Sequence, residues 1–287
     1  MSKSKKPDFL IIGVQKSATT WLQKMLVVHP EIYMPNQEVH YFDNNINYFK
    51  GRLWYASFFK KARNSDLIGE KTPDYIWTNC IDTEKHSTEK LLRIKQFNPN
   101  IKLISIFRNP VDRFVSAFHH NKRRGRVPAD LSVTSMLNNA KYSKILQSML
   151  SRGLYGIQLE AIYHEFSKDK VKIIFHDSIK ENPSGIVSDV FKFLGVPSIN
   201  LSDQESKRYN VYQASKLGSL LVARSNNYLK SSILRFDKYF LSKLPIKKVS
   251  YPKLSINEKQ ILTDYYKKDM AYFKSLIDLE LPDSWKF

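Results

Sequence analysis

Short apolar runs alternate with helical patterns along most of the chain. The runs lie near residues 9–13, 67–70, 101–107 and 171–176, and the segments between them carry apolar residues three and four positions apart. A short apolar run bounded by polar turns is typical of a strand buried on both faces. Strands that alternate with helices predict a parallel sheet with helices on both faces, so we predict the α/β fold class.

The ends of the pattern indicate how the chain is organised. The first helix is expected from Thr20 to about His29, and Ser255 with Glu258 forms a capping box at the start of a C-terminal helix. No Gly-, Pro- or Ser-rich linker divides the 287 residues. We therefore predict a single domain over residues 1–287, with a helical C-terminal part from about residue 205.

The segment from Gly13 to Trp21 joins the first apolar run to the first helix. An apolar run that ends in glycine, then a small polar turn and a helix start, presents free backbone N–H groups to one anion. Lys16 adds a positive charge within the turn. The segment is typical of a phosphate-binding loop, although a strand, turn and helix with a surface lysine is the plain structural alternative.

A second anion-binding pattern follows the run at 101–107. Arg108 is followed by Asn109 and Pro110, which are expected as N-cap and first residue of an amphipathic helix that carries Ser116. A guanidinium at the end of a strand and a hydroxyl within the second helical turn can converge on a second phosphate. Ser116 on its own is equally consistent with a hydroxyl on a helix surface.

The order of these motifs resembles a known family. In the phosphate loop of nucleoside triphosphatases the lysine follows the last glycine, whereas Lys16 comes earlier in this loop. Residues 13–20 instead resemble the 5′-phosphosulfate loop of sulfotransferases that use 3′-phosphoadenosine 5′-phosphosulfate (PAPS). Arg108 and Ser116 resemble the 3′-phosphate motif of the same family. The segments 37–43, 70–75 and 152–155 are similar to glycan sulfotransferases, in particular heparan sulfate 3-O-sulfotransferases and their bacterial relatives.

This resemblance implies a P-loop-like central parallel sheet and a cofactor-binding site for PAPS. It implies sulfuryl transfer from PAPS to a hydroxyl, or less readily an amine, of a carbohydrate acceptor, without a metal. The residues that it assigns to the nucleotide are Lys16, Ser17, Ala18, Thr19, Thr20, Trp21, Arg108 and Ser116. Lys16 is also implied to act in catalysis, by stabilising the leaving 5′-phosphate and the bridging oxygen.

Three further residues are implied to act in the transfer itself. Glu38 is expected as the general base, as glutamate is in the resembling glycan enzymes, and His40 is its rival because residues i and i+2 of an extended segment share a face. Lys71, expected at the end of a strand before Thr72 and Pro73, is implied to reach the transferring sulfonate. The plain alternatives are a solvated carboxylate, a buried histidine and a surface lysine.

One position departs from the family pattern. Ala18 stands where many relatives have glycine, the residue that tolerates a positive φ. Because the Thr19-Thr20-Trp21 continuation is intact, we expect that position 18 does not need a left-handed conformation.

The composition of the chain indicates which ligands and partners are favoured. The net charge of +19 favours anionic ligands such as PAPS, and the basic residues 122–126 and 207–253 are candidates to guide the nucleotide or an acidic glycan. Cys80 is the single cysteine, and no histidine cluster has metal-ligand spacing. There is no stretch of about 18 apolar residues and no secretory signal, so we expect a cytoplasmic enzyme with no transmembrane segment and no specific nucleic acid partner.

Two other functions stay open at this point. A P-loop kinase would need Mg²⁺ and a strand that ends in aspartate, whereas the best candidate strand ends at Arg108. A non-catalytic basic protein that binds an anionic polymer would explain the charge but not the ordered motifs. If the acceptor is a carbohydrate, the aromatic residues Tyr41, Trp54 and Tyr155 are candidates to stack on sugar rings.

Overall fold

Five parallel strands form the centre of the molecule in a computed structural model. The structure describes residues 5–78, 88–200, 253–285 and 287, together with isolated positions at 221, 225, 229, 232, 233 and 236. The strands are β1 Phe9–Gly13, β2 Ile32–Tyr33, β3 Leu67–Lys71, β4 Lys102–Phe107 and β5 Val171–Phe175. Their order is β2-β3-β1-β4-β5, and every pairing is parallel. The α/β class with a parallel sheet is confirmed.

Helices lie on both faces of this sheet. They are α1 Thr19–Leu26, α2 Asn45–Tyr48, α3 Gly51–Ala56, α4 Glu89–Phe97, α5 Pro110–Arg123, α6 Val133–Leu137, α7 Ser143–Ser151, α8 Tyr155–Glu165, α9 His176–Glu181, α10 Pro183–Leu194 and α11 Ile256–Leu276. Among the described residues, none of these helices is long and apolar enough to span a bilayer.

The alternation of side chains along the strands creates two separate cores. Leu10 and Ile12 of β1 belong to the larger core, which includes residues of α4, α5, α7, α8 and α11. Phe9 and Ile11 point to the opposite face and pack with α1 and α10. Since successive residues of a strand face opposite sides, a strand apolar at every position is the signature of a sheet covered on both faces.

The predicted helix caps are present. Asn109 Oδ1 accepts hydrogen bonds from the backbone N–H groups of Val111 and Asp112 at 3.0 and 3.3 Å, with Pro110 at the start of α5. Ser255 and Glu258 form the capping box of α11. The first helix ends at Leu26 rather than near His29, and the two-residue edge strand β2 was not predicted because so short an apolar pair carries no periodicity.

The parallel order places three loop segments at one edge of the sheet. β1 lies between β3 and β4, with Ile11 opposite Lys71 and Gly13 opposite Ser105. The chain therefore leaves the carboxyl ends of three adjacent strands at Gly13, Lys71 and Phe107. This is the edge at which ligands bind in open parallel sheets, and it is where the predicted site residues lie.

Candidate active site

The segment between β1 and α1 forms a tight turn. Lys16 and Ala18 both have positive φ angles, of 76° and 71°. Ser17 is fully buried, and its hydroxyl has no hydrogen-bond partner among the described residues. The first N–H groups of α1, from Thr19 onward, have no carbonyl within the helix to bond to. The turn and the helix start thus form a cradle of N–H groups suited to an anion.

Ala18 contradicts the expectation from the sequence. It is the N-cap of α1 with φ 71° and ψ 19°, which is the left-handed region, and no side chain caps the helix. The expectation that position 18 would avoid this conformation was wrong. The reason is that the chain must reverse from the end of β1 into a helix that packs on the sheet, and the Thr19-Thr20-Trp21 sequence does not fix the angle that this requires.

Arg108 joins the end of β4 to this turn. Its Nη1 donates to the backbone oxygen of Lys16 at 3.3 Å, and its buried Nε has no partner among the described residues. Tyr155 donates its hydroxyl to the Arg108 backbone oxygen at 2.7 Å. Ser116 lies half-buried in α5 and has no side-chain hydrogen bond among the described residues, so no hydrogen bond joins it to Arg108.

Several cations concentrate their charge at Lys16. Burial, followed by the positive charges of Arg123, Arg108 and Arg124, lowers the pKa of Lys16 to about 8. Glu38 acts in the opposite direction but does not outweigh these effects, and an anion bound at the loop would further favour the charged form of Lys16. The end of α5 therefore contributes to the same electropositive site as the loop.

A second group of side chains lies beside the loop at the end of β3. Lys71 Nζ donates to Glu38 Oε1 at 2.6 Å and to Thr20 Oγ1 at 3.3 Å. His40 Nε2 lies 3.6 Å from Glu38 Oε2, and His40 Nδ1 lies 2.9 Å from Asp43 Oδ2. The structure thus brings together Glu38, His40, Lys71 and Thr20, which the sequence analysis had selected on separate motifs.

The electrostatics of this group distinguish the two candidate bases. Burial by itself raises the pKa of Glu38, but His40 and Lys71 outweigh burial and hold it at about 2. The carboxylates of Asp43 and Glu38 raise the pKa of His40 to about 10, against the opposing effect of burial. At neutral pH His40 is therefore protonated, while Glu38 is an ionised carboxylate.

A buried polar frame holds the backbone that carries Glu38 and His40. Three successive N–H groups donate to side chains at the end of β3 or just beyond it: Val39 to Glu70 at 3.5 Å, His40 to Thr72 at 3.3 Å and Tyr41 to Tyr75 at 3.0 Å. The accepting side chains belong to residues that are fully buried. This frame was not predicted, because its bonds run from backbone to side chain and join segments more than thirty residues apart.

Two more residues near the site were missed. His120 lies on α5, and burial together with Lys16, Arg124 and Arg123 lowers its pKa to about 3. His120 lies four residues after Ser116, and residues at this spacing are neighbours on one face of a helix. This spacing could have indicated that His120 lies near the site. Asp43 follows His40 by three residues and lies in the segment 37–43, but no function was predicted for it.

One set of side chains has metal-ligand geometry. His40, Asp43 and Asp74 each offer a ligand atom, and these atoms lie within 4.8 Å of one another. Sequence spacing did not show the set because Asp74 comes from beyond β3. Asp74 Oδ1 is already 3.2 Å from Arg152 Nε, which offsets its charge. The absence of a metal from the reaction stays a prediction.

Two of the aromatic residues considered for sugar stacking are not available for it. Tyr41 is 2% exposed and stacks on Tyr55 with ring centroids 4.2 Å apart. Tyr155 is fully buried against Phe107. Aromatic residues in a core and on a binding surface have the same sequence signature, so the interpretation of these two was wrong. Trp54 is partly exposed.

Some predictions lie outside the described residues. They concern Cys80 and most of the basic region 207–253. The single-domain assignment over residues 1–287 also stays a prediction.

The fold and the site define an α/β protein with a phosphate-type loop and a cluster of positive charge around Lys16. A family model described as the sulfotransferase domain matches residues 6–273. The chain therefore belongs to the sulfotransferase domain family, and the family predicted from the motifs is confirmed.

Individual relatives agree with this assignment. Bifunctional heparan sulfate N-deacetylase/N-sulfotransferase 4 of Mus musculus is 33% identical over 213 residues, which are 69% of this chain and 23% of that protein. Heparan sulfate glucosamine 3-O-sulfotransferase 3B1 of Mus musculus is 29% identical over 194 residues, 67% of this chain and 47% of that protein. The chain thus spans about a quarter of the length of the first relative and about half of the length of the second.

The fold has a solved counterpart. The crystal structure of a sulfotransferase from Alicyclobacillus acidocaldarius superposes with a TM-score of 0.70 and 22% identity, over 98% of this chain and 99% of that chain. The P-loop-like fold predicted from the sequence is confirmed.

Proposed function

We propose that this protein transfers a sulfuryl group from PAPS to a hydroxyl, or less readily an amine, of a carbohydrate. The observation that carries the proposal is the position of Lys71. Its ammonium contacts Glu38 at 2.6 Å and Thr20 of the phosphate loop at 3.3 Å. A single side chain therefore joins the loop proposed for the donor to the carboxylate proposed for the acceptor, and both substrates would meet there.

The donor is proposed to bind along the loop and the end of β4. The N–H groups of the turn, with Ser17, Thr19 and Thr20, would hold the 5′-phosphate, and Lys16 would face the bridging oxygen. The buried Ser17 hydroxyl and Arg108 Nε lack partners among the described residues, as expected for groups that a nucleotide would satisfy. Ser116, Ala18 and Trp21 complete the proposed nucleotide site.

The reaction is an in-line displacement at sulfur. The acceptor oxygen forms a bond to sulfur while the bond from sulfur to the 5′-phosphate oxygen breaks, and the acceptor proton passes to a carboxylate. Negative charge develops on the departing phosphate, where Lys16 and the N–H groups of α1 would stabilise it. The chain's contribution is position and charge, as in phosphoryl transfer.

Glu38 is the better candidate for the base. His40, with a pKa of about 10, already holds a proton at neutral pH and would instead orient Glu38. Glu38 has a pKa of about 2 while it is paired with Lys71 and His40. If Lys71 turns towards the sulfonate of bound PAPS, Glu38 loses a cationic partner and becomes a stronger base when the acceptor is to be deprotonated.

The names of two relatives support the proposed acceptor class. Two of them are named as sulfotransferases of heparan sulfate, one of them acting on its glucosamine. We propose a carbohydrate acceptor for this chain, with the basic residues 122–126 near the loop to attract an anionic one. We also propose that no metal takes part, since lysine and arginine side chains supply the positive charge at the loop.

The test compares ligand binding with turnover. Wild-type protein should be stabilised by adenosine 3′,5′-bisphosphate, by about 2.7 kcal/mol at a hundredfold excess over Kd, and Lys16→Ala and Arg108→Ala should lose this effect. Glu38→Gln should keep the stabilisation and lose about 10²- to 10⁴-fold in kcat with PAPS and a glucosamine-containing glycan. Glu31→Gln, at an exposed carboxylate, is the matched control.

Other results would change the assignment. Stabilisation by ATP with Mg²⁺ but not by the bisphosphate would favour the kinase. Polyanion binding without either nucleotide would favour the non-catalytic basic protein. Loss of turnover in EDTA that added metal restores would contradict the metal-free mechanism and direct attention to His40, Asp43 and Asp74.

A further inference from the structure

An exposed apolar surface lies directly after the segment that carries Glu38 and His40. Ile46, Phe49 and Leu53 are 75%, 81% and 82% exposed. They occur within eight residues on α2, α3 and the turn between them. We call residues 44–53 the apolar surface. A scattered exposed leucine is ordinary, but three large apolar side chains so close together and so exposed indicate a partner.

Basic residues predominate in the sequence at and directly after the apolar surface. The segment 44–63 contains five basic residues and no acidic residue: Lys50, Arg52, Lys60, Lys61 and Arg63. Lys50 and Arg52 lie between Phe49 and Leu53 in sequence, and both are exposed. Cations interleaved with exposed aromatic and aliphatic side chains are typical of surfaces that insert into the headgroup region of anionic membranes.

The apolar surface is firmly attached to the body of the protein. Lys50 Nζ lies 4.5 Å from the centre of the Trp54 ring, which also packs against Phe58. Asn47 Nδ2 donates to the backbone oxygens of Val39 and His40 at 3.2 and 3.1 Å. These bonds connect the surface to the backbone directly after Glu38.

We infer that the apolar surface docks on an anionic phospholipid bilayer. Hydrocarbon chains would cover Phe49 and Leu53, and phosphate headgroups would neutralise the basic residues around them. A polysaccharide offers charge but no comparable apolar cover. On the proposed function, a bilayer held here would lie beside the acceptor side of the site, which suits a carbohydrate carried on lipid.

The experiment measures vesicle binding and needs no turnover. Wild-type protein is sedimented with vesicles of equal parts phosphatidylglycerol and phosphatidylcholine, and with vesicles of phosphatidylcholine alone. Phe49→Ser/Leu53→Ser removes apolar side chains, and Ile256→Ser is its control because Ile256 is 91% exposed on another helix. Lys50→Gln/Arg52→Gln removes two charges, and Lys267→Gln/Lys268→Gln on α11 removes the same number elsewhere.

We expect wild-type protein to bind the anionic vesicles. Each basic residue near an anionic surface contributes about fivefold in partitioning, so Lys50→Gln/Arg52→Gln should lose about tenfold or more and its control much less. Phe49→Ser/Leu53→Ser should lose at least about tenfold, while Ile256→Ser binds as wild type does. A cooperative thermal unfolding transition without ligand, at the wild-type temperature in every variant, would show that the fold is retained.

Three results would overturn the inference. One is equal binding of the apolar-surface variants and wild type to the anionic vesicles. Another is no vesicle binding together with a dimer that Phe49→Ser/Leu53→Ser dissociates, since the occupant would then be a second copy of the chain. The third is heparin binding, lost in these variants, without vesicle binding. None of these results depends on PAPS, so failure of the proposed function would be seen separately.

Discussion

At the scale of a residue, Ala18 determines how the phosphate loop enters α1. Its left-handed φ of 71° lies where an L-residue with a Cβ is strained by about 1–2 kcal/mol. Ala18 is the N-cap of α1, and no side-chain hydrogen bond to the start of the helix offsets this strain. Glycine is the residue that this angle favours.

Ala18→Gly is therefore expected to stabilise the protein. Relief of the strain outweighs the extra freedom of glycine in the unfolded chain, and we expect the free energy of unfolding in urea to rise by about 0.5–1 kcal/mol. Ala271→Gly in the exposed part of α11 is the control and should lower it by about 1 kcal/mol. Equal losses in both variants would show that the left-handed angle at position 18 is not strained.

Lys16 provides a second prediction at this scale. Its pKa is about 8 in the free protein, and a bound anion favours its charged form. Affinity for adenosine 3′,5′-bisphosphate should therefore be constant below pH 8 and fall above it, by up to about tenfold per pH unit, as binding takes up a proton. Isothermal titration calorimetry between pH 7 and about 9.5 measures the slope.

Lys16→Arg tests whether this lysine is the titrating group. Arginine keeps its charge throughout the range, so the variant should show a flat profile. The same slope in Lys16→Arg as in wild type would assign the proton to another group.

At the scale of elements, the end of β3 supports the segment 38–41. Thr72 is buried and accepts a hydrogen bond from the N–H of His40, whose φ is 52°. Thr72→Val keeps the shape but removes this acceptor and also the hydroxyl that donates to the buried Glu70 carboxylate, at a cost of about 1–3 kcal/mol for each group left unsatisfied. Because this bond positions Glu38 and His40, kcat should fall about tenfold or more.

The pattern of effects distinguishes positioning from general destabilisation. Thr72→Val should leave the Kd of adenosine 3′,5′-bisphosphate unchanged, because Thr72 does not belong to the phosphate loop. Ser105→Ala in β4 removes another buried hydroxyl, one without a partner among the described residues. This variant should change neither kcat nor the Kd of adenosine 3′,5′-bisphosphate. A parallel loss of nucleotide affinity and kcat in Thr72→Val would contradict the positioning role.

Elements with strong local signals could be predicted from the sequence. β1, β4 and the cap of α5 follow from apolar runs and from Asn109-Pro110, because these features act within a few residues. Contacts set by the parallel sheet could not be predicted in detail. The contact of Lys71 with Glu38 joins residues thirty-three positions apart, and two separate motifs selected them without showing the distance between them. The left-handed Ala18 and the buried Tyr41 depend on packing that has no local signature.

At the scale of the molecule, the net charge of +19 acts together with the local cluster at Lys16. Electrostatic steering towards such a cleft raises association rates and is screened by salt, since the Debye length falls from about 10 Å at 0.1 M to about 3 Å at 1 M. The association rate constant for adenosine 3′,5′-bisphosphate should therefore fall about tenfold or more between low salt and about 0.5 M, measured by stopped flow.

Two double variants that each remove two positive charges distinguish the effect of the cluster around Lys16 from the effect of net charge. Arg123→Gln/Arg124→Gln removes two of the cations that lower the pKa of Lys16, whereas Lys267→Gln/Lys268→Gln removes two exposed charges from α11. Steering by the cluster predicts a slower and less salt-dependent association only in the first variant. Equal effects in both would mean that net charge alone attracts the nucleotide. The first variant should also raise the pKa of Lys16, because two of the positive charges that lower it are gone, and should shift the alkaline fall in affinity to higher pH.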